Sequence, residues 1–388
     1  MPDIMKKPNC YVDIHMLHTL PPSCINRDDT GSPKTATYGG VSRSRVSSQS
    51  WKHAIRKYFY DVFPAEDVGT RTKAVPNMIA EKIIEKDPSM KMDKAVKLAN
   101  AALKKAGNDP KDEENMKALF FVSNRQVDLF AELAIQKADQ LEKNDEEDEE
   151  KPGSKGKKKK KSKQDKELLQ ALIDSPSIDM VLFGRMVAKL PSLNYDAAAQ
   201  VNHALSTHAV ETEYDYFTAV DDLADKDSSG AAHLGTVEFN SSTLYRYANI
   251  NVNELGNRFP KEKVIEAVKG FVEGMIYSMP TGRQNSFANR TLPYAIYVTI
   301  RTDMPVCLEN AFEKPVQPVP GEGYEAPSAE RLYAHATELY KNFVSSPSAS
   351  FVVGEMLGDL SENKGSVQTM LDFLETELSN RIIEEEMV

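Results

Sequence analysis

VSRSRVSSQSWKHAIRKYF, residues 41–59, sets the architecture, because the period of the chain changes inside it. Val41–Val46 reads as a strand, and from Ser47 onward the pattern is that of an amphipathic helix. Ser47 or Ser48 can cap its first turn. Trp51, Ile55 and Phe59, widened by Ala54 and Tyr58, form one apolar stripe. Gln49, Lys52, His53, Arg56 and Lys57 occupy the remaining arc, so the stripe, including the lone Trp51, is read as core.

Upstream, residues 10–18 (CYVDIHMLH) read as a strand with Val12, Ile14 and Met16 alternating against more polar neighbours. Pro21–Gly40 is dense in turn formers and is expected to be a long loop without regular structure. Downstream, residues 70–175 are mostly helical, as in Met78–Glu85, Ala95–Lys105 and Arg125–Lys143. This block is broken by DEEDEE (Asp145–Glu150), Pro152-Gly153 and the run Lys157–Lys161. Neither charged run can bury a face, so residues 142–166 are expected to be a flexible insertion, with the lysines largely neutralised by their acidic neighbours.

Ser177–Phe183 is expected to be a strand. Gln200–Thr212 alternates weakly and pairs in expectation with Gly235–Asn240 as an extended hairpin across the polar stretch Asp225–Gly230. Thr243–Val252 and Pro293–Thr302 read as strands, and Lys261–Met279 as a helix with Val264, Val268, Phe271, Val272 and Met275 on one side. Helices close the chain near 328–344 and 366–384. Strand, helix, strands, helix, strand, with a helical block after the first helix, is an α+β plan.

Composition narrows the function. The chain has 388 residues, 40% of them hydrophobic and 27% charged, which permits a sizeable core. No apolar run reaches about 18 residues, so no membrane span is expected. Lys6-Lys7 is not followed by the apolar segment of a secretory signal. Cys10, Cys24 and Cys307 are few and scattered, without C-x-x-C, which fits a reducing cytoplasm. There is no P-loop and no G-x-G-x-x-G. His15/His18 and His203/His208 have odd spacings that put side chains on opposite faces of a strand, so neither a metal site nor a cofactor is expected. Asp28-Asp29 is the one carboxylate pair to weigh: Mg²⁺ binding near a phosphate is one reading, ordinary turn chemistry the other.

A net charge of −10 first argues against a polyanionic partner. Its distribution reverses the argument. Between Arg27 and Lys57 there are seven basic residues (Arg27, Lys34, Arg43, Arg45, Lys52, Arg56, Lys57) against Asp28 and Asp29, giving +5 there and −15 in the rest of the chain. Ser47, Ser48 and Ser50 add hydroxyls to the positive end of the helix, and Gln49, Lys52 and Arg56 share one of its faces. A sugar-phosphate chain crossing that helix start would meet donors and charge together, although a solvated helix face accounts for the same pattern. Tyr245 and Tyr247 share one strand face; without the RNP1 pattern of an ordinary RRM, core packing is the better account of them than base stacking.

These residues resemble a known family. The run Pro22–Asp29, then Tyr38-Gly-Gly40, then Arg45–Lys52 is similar to the CasC backbone subunits (Cas-seven family, RAMP superfamily) of type I-E CRISPR Cascade complexes. Gly184-Arg185-Met186, Ala199–His208, Asp215–Leu223, Ala232–Gly235, Arg246–Asn251 and Asn310–Lys314 extend the match in the same order, from about residue 10 to 315. The resemblance implies a modified RRM-like (ferredoxin-like) palm in residues 8–62, 176–198 and 240–388. It implies inserted helical fingers in 63–175 and a β-hairpin thumb in 199–239.

It further implies a non-catalytic protein that binds CRISPR RNA, assembles with about six copies of itself along one guide, and presents the guide for pairing with target DNA. Other Cascade subunits (CasA, CasB, CasD and CasE types) would be partners. Arg27, Lys34, Ser47, Gln49 and Lys52 match guide-backbone contacts, Met186 a fingers methionine against guide bases, and Phe217 a thumb aromatic near a displaced base. Arg43, Arg45, Ser48 and Arg56 join them from the basic segment. The chain departs from the pattern at His53, where arginine is common. Related backbone subunits of type III complexes cut target RNA with an aspartate in the comparable loop, so an endoribonuclease using Asp28 or Asp29 is the alternative.

Overall fold

The structure is a computed structural model; it describes residues 8–382 except 109, 113, 139–140, 142–162 and 221–230. The charged runs Asp145–Glu150 and Lys157–Lys161 and the turn Asp225–Gly230 lie outside the described residues. The chain divides into two compact units, one made of residues up to 58 together with 199 onward, the other of 59–198.

The chain opens with β1 (Tyr11–Ser23), β2 (Thr35–Tyr38), β3 (Val41–Val46) and α1 (Ser48–Val62). Then come β4 (Gly69–Thr72), α2 (Val75–Lys86), α3 (Met92–Ala106), β5 (Phe120–Ser123), α4 (Asn124–Gln136), α5 (Lys163–Ala171) and α6 (Ile178–Phe183). β6 (Ala199–Val201), β7 (Ala204–Ser206), β8 (Glu213–Val220) and β9 (Ala231–Asn251) follow. The main elements after them are α7 (Lys261–Tyr277), β10 (Ala295–Arg301), α8 (Glu325–Asn342), β11 (Ala349–Val353), β12 (Lys364–Gly365) and α9 (Val367–Arg381).

In the first unit the sheet order is β12-β11-β10-β1-β9-β7-β3-β2. β1 is central, antiparallel to β10 on one side (Tyr11↔Arg301 to Leu17↔Ala295) and to β9 on the other (Tyr11↔Asn251 onward). Taken in chain order, β1, α1, β7, β9, α7 and β10 make a βαββαβ unit with the fourth strand beside the first: the ferredoxin-like plan, and an α+β fold.

β1 is buried on both faces, which explains polar residues in its apolar run. Val12, Ile14 and Met16 line one face. On the other, Asp13 accepts hydrogen bonds from Tyr247 Oη (2.8 Å), Asn249 Nδ2 (2.9 Å) and the Val306 amide (3.0 Å), so its burial leaves it satisfied. Tyr245 and Tyr247 belong to this same core, packed with Leu17, Tyr297 and, from α8, Leu332 and Ala336. On the opposite face Arg246 lies over Trp51 of α1, 3.7 Å from the ring centroid, and donates to the Met275 carbonyl of α7. His15 and His18 consequently sit on opposite faces, in contact with Tyr245 and Arg246 respectively.

Three expectations change. Pro21–Gly40 is partly ordered: β1 runs on to Ser23, and β2 pairs with β3 across Gly39-Gly40. Both glycines have positive φ (+59° and +77°), as a two-residue hairpin turn requires. Ser177–Phe183 is not a strand but α6, closed by Gly184 at φ +78°. A short buried apolar run carries no period that separates strand from helix, and here glycine ends the turn. The first strand of the long hairpin is β8, not Gln200–Thr212; the latter supplies β6 and β7, which pair with the far half of β9.

The second unit packs α2, α3, α4 and α5 around Ile79, Ile83, Leu98, Leu103, Phe130 and Leu172. Ser123 and Gln126 form a capping box that starts α4 directly from β5. Residues 176–198, assigned to the palm on sequence, pack within this unit. Among the described residues no helix is long and apolar enough to cross a membrane.

Candidate nucleic-acid interface

The basic segment is fastened to the start of α1 by backbone bonds. The Ser50 amide donates to Ser47 Oγ (3.4 Å), so Ser47 rather than Ser48 takes the capping position. The Ser47 amide donates to Asn26 Oδ1 (2.9 Å), the Lys34 amide to the Asn26 carbonyl and the Arg45 amide to the Lys34 carbonyl. Loop, strand and helix start thus form one rigid corner. Arg27 and Gln49 are exposed on it; Lys34, Arg45, Lys52 and Arg56 are half-buried; the Ser47 and Ser48 side chains are buried, and His53 is exposed. The Ser48 and Gln49 amides have no hydrogen-bond partner among the described residues, as expected of a first helical turn.

Three cations converge on a residue that sequence reading weighed only as a metal ligand. Arg45 donates from Nε to the Thr35 carbonyl (3.2 Å) and from Nη1 to His203 Nδ1 (3.3 Å). Burial, and then the charges on Arg45, Lys34 and Lys52, hold the His203 imidazolium below its ordinary acid range. His203 lies in the link between β6 and β7, inside the Ala199–His208 run that extends the resemblance but was given no role there. Lys52 is itself lowered by burial.

Arg43 is a correction. It was read with the nucleic-acid contacts, yet it is fully buried. Its guanidinium donates to the carbonyls of Tyr38 (3.2 Å), Ser206 (2.9 Å), Phe312 (2.8 Å) and Glu313 (3.2 Å). Four of its five N–H groups are engaged in this way, and full burial closes the guanidinium to a phosphate. Its charge serves the fold.

Asp28 is engaged in its own loop. Its Oδ1 accepts from the Thr30 hydroxyl (2.7 Å), the Thr30 amide (2.9 Å) and the Ser32 amide (3.0 Å), and these bonds, the hydroxyl's first, hold the carboxyl below its usual range. That is turn chemistry. Among the described residues no three His, Cys, Asp or Glu side chains are grouped to hold a metal.

In the helical unit, Met186 is 81% exposed although its neighbours are not. Arg185 explains how. Buried beneath it, the guanidinium donates to the carbonyls of Leu193 (2.8 Å), Phe121 (3.1 Å) and Leu172 (2.7 Å) and to Gln126 Oε1 (3.3 Å), while the backbone bridges to Tyr195. Met186 projects from this fixed point beside a concave surface that Arg71 and the exposed Leu119 also line. Neither Arg71 nor Leu119 carries a sequence signal.

The β8–β9 ribbon carries Phe217, 41% exposed, directly across from Gly235. Tyr214 and Tyr216, both more exposed, occupy the other face.

The chain belongs to the CT1975-like protein family, whose model matches residues 12–376. Among solved structures it is similar to a chain of a CRISPR RNA-guided surveillance complex, pre-nicking, at 28% identity and a TM-score of 0.79, over 96% of this chain and 100% of that one. A chain of a second CRISPR RNA-guided surveillance complex is 26% identical with a TM-score of 0.68, over 95% of this chain and 99% of that one. A comparison with curated proteins gives no match.

Proposed function

We propose that this chain is a guide-RNA-binding backbone subunit of a CRISPR surveillance complex, of the CasC kind found in type I-E Cascade. Several copies, about six, line up along one CRISPR RNA beside other Cascade subunits and leave the bases free to pair with a target DNA strand. The observation that carries this reading is the convergence of Lys34, Arg45 and Lys52, from loop, strand and helix, in a chain that is otherwise strongly acidic. Contacts to phosphate give affinity without sequence preference, which suits a guide whose sequence varies. Sequence is then read by base pairing. Met186 and Phe217, large, apolar and exposed, suit contacts with bases, and stacking on the aromatic Phe217 is worth about 1–3 kcal/mol.

The chain has no catalytic role in this reading, and the bonds that Asp28 Oδ1 accepts within its own turn support that. Purifying the protein and sizing the RNA that accompanies it tests the proposal. A discrete guide-length species supports it, and nucleic-acid-free protein counts against it. A cleavage assay with Mg²⁺ and guide-complementary RNA tests the endonuclease alternative: cutting that vanishes in Asp28→Ala or Asp29→Ala would establish it.

A further inference from the structure

We propose that His203 belongs to the guide-binding track, donating from Nε2 to a phosphate oxygen of the strand held by Lys34, Arg45 and Lys52 and taking up a proton as the strand binds. The inference rests on the function proposed above and deepens it.

The geometry sets the starting state. His203 is exposed, in the two-residue link between β6 and β7. One residue pair further on, Leu205 is the ladder partner of Arg45, which brings the arginine head to the ring. Arginine has no acceptor, so in the bond between Arg45 Nη1 and His203 Nδ1 the imidazole nitrogen accepts. The neutral ring therefore carries its proton on Nε2. That N–H has no hydrogen-bond partner among the described residues and is a donor available to an anion.

The charged groups that bear on the ring come from three elements: Arg45 on β3, Lys34 in the loop before β2, and Lys52 on α1. All three are positive, and together with partial burial they disfavour a fourth charge. A phosphodiester chain lying on these cations reverses the sign of the field at the ring. Protonation of Nδ1 then becomes favourable, and a protonated Nδ1 no longer accepts from Arg45. The released guanidinium gains a donor for a second phosphate oxygen. Strand binding and proton uptake reinforce one another, with the proton coming from solvent and no bond to the RNA being made or broken.

The test is the affinity of the full chain for a guide-length oligouridylate, whose bases do not titrate between pH 6 and 8, at constant ionic strength. Wild type is expected to bind more tightly as pH falls, by up to tenfold per pH unit where one proton is taken up. His203→Gln should lose most of that slope, so that its deficit in affinity against wild type is larger at pH 6 than at pH 8. A wild-type affinity independent of pH, or a His203→Gln variant that keeps the wild-type slope, overturns the inference and leaves the proposed function standing. Lys52→Ala separates the two: it should weaken binding at every pH and retain the slope. If it binds as wild type does, the phosphate track itself is wrong.

Discussion

Gly235 and Phe217 face each other across the β8–β9 ribbon, and a Cβ on Gly235 would come within 2.4 Å of the Phe217 ring. The glycine thus makes the space in which an exposed aromatic lies against its own ribbon. Because the clash involves the far end of a side chain, Gly235→Ala is expected to swing the ring aside at a stability cost of about 0.5–1 kcal/mol or less. Chemical probing of bound guide RNA checks the consequence. The pattern of exposed bases should blur in Gly235→Ala as in Phe217→Ala, and an unchanged pattern in both would remove Phe217 from the interface.

The proposed function gives Lys52 a contact to phosphate rather than to bases. Lys52→Ala should weaken binding to unrelated RNA sequences equally and lower the slope of log affinity against log salt by about 0.7, one contact on a single strand. A sequence-selective loss would contradict a backbone contact.

Arg43 should behave in the opposite way. Replacing it with methionine leaves the carbonyls of Ser206 and Phe312 without their donor in the interior. The expected cost is roughly 2–4 kcal/mol of stability, read by denaturant unfolding, with RNA affinity of the folded protein little changed.

Met186 and Arg185, adjacent in sequence, should separate as cleanly. Met186→Ala removes an 81% exposed side chain and is expected to leave stability within about 0.5 kcal/mol. Arg185→Met removes a donor from four acceptors, of which Gln126 Oε1 keeps the Ser123 amide, and should cost several times that, seen as a lower unfolding midpoint.

Acid should destabilise the sheet unit through its buried imidazoles. Burial, with a smaller contribution from Arg301, holds His15 at about 3, against 6.5 when unfolded. Its folded value is depressed, so the unfolded state binds the extra proton; the stability it contributes is complete above about 6.5 and is lost as pH falls toward 3. Relative to His15→Gln, wild type should lose about 1.4 kcal/mol per pH unit below 6. Urea unfolding of both proteins at pH 7, 6 and 5 measures the difference. Asp13, raised by burial to about 6, titrates with the opposite sign in both proteins and cancels from the comparison.

Much of this was legible in the residues. The change from strand to helical period at Ser47, the alternation of Val12, Ile14 and Met16, and the stripe on Lys261–Met279 all lie where the structure has β3–α1, β1 and α7. Each is a local pattern imposed by a face that must be buried. Ser177–Phe183 was misread because a short run of five apolar residues interrupted by Asp179 is too brief to separate strand from helix by its period. The place of His203 among Lys34, Arg45 and Lys52 was not legible, since these cations are 150 or more positions away in the chain.

The sequence by itself determined the α+β plan, the concentration of +5 on one corner of an acidic chain, and the family resemblance. Those follow from periodicity and composition, which are local. Only the tertiary structure decided which of the cations meet solvent. Arg43 and Arg45 stand two residues apart on one face of β3, and by the strand's period they are equivalent. The carbonyls of Phe312 and Glu313, about 270 positions away, close over Arg43 and take both Nη2 donors, whereas Arg45 reaches the exposed His203. A strand's period sets which way a side chain points; what it meets there depends on distant chain.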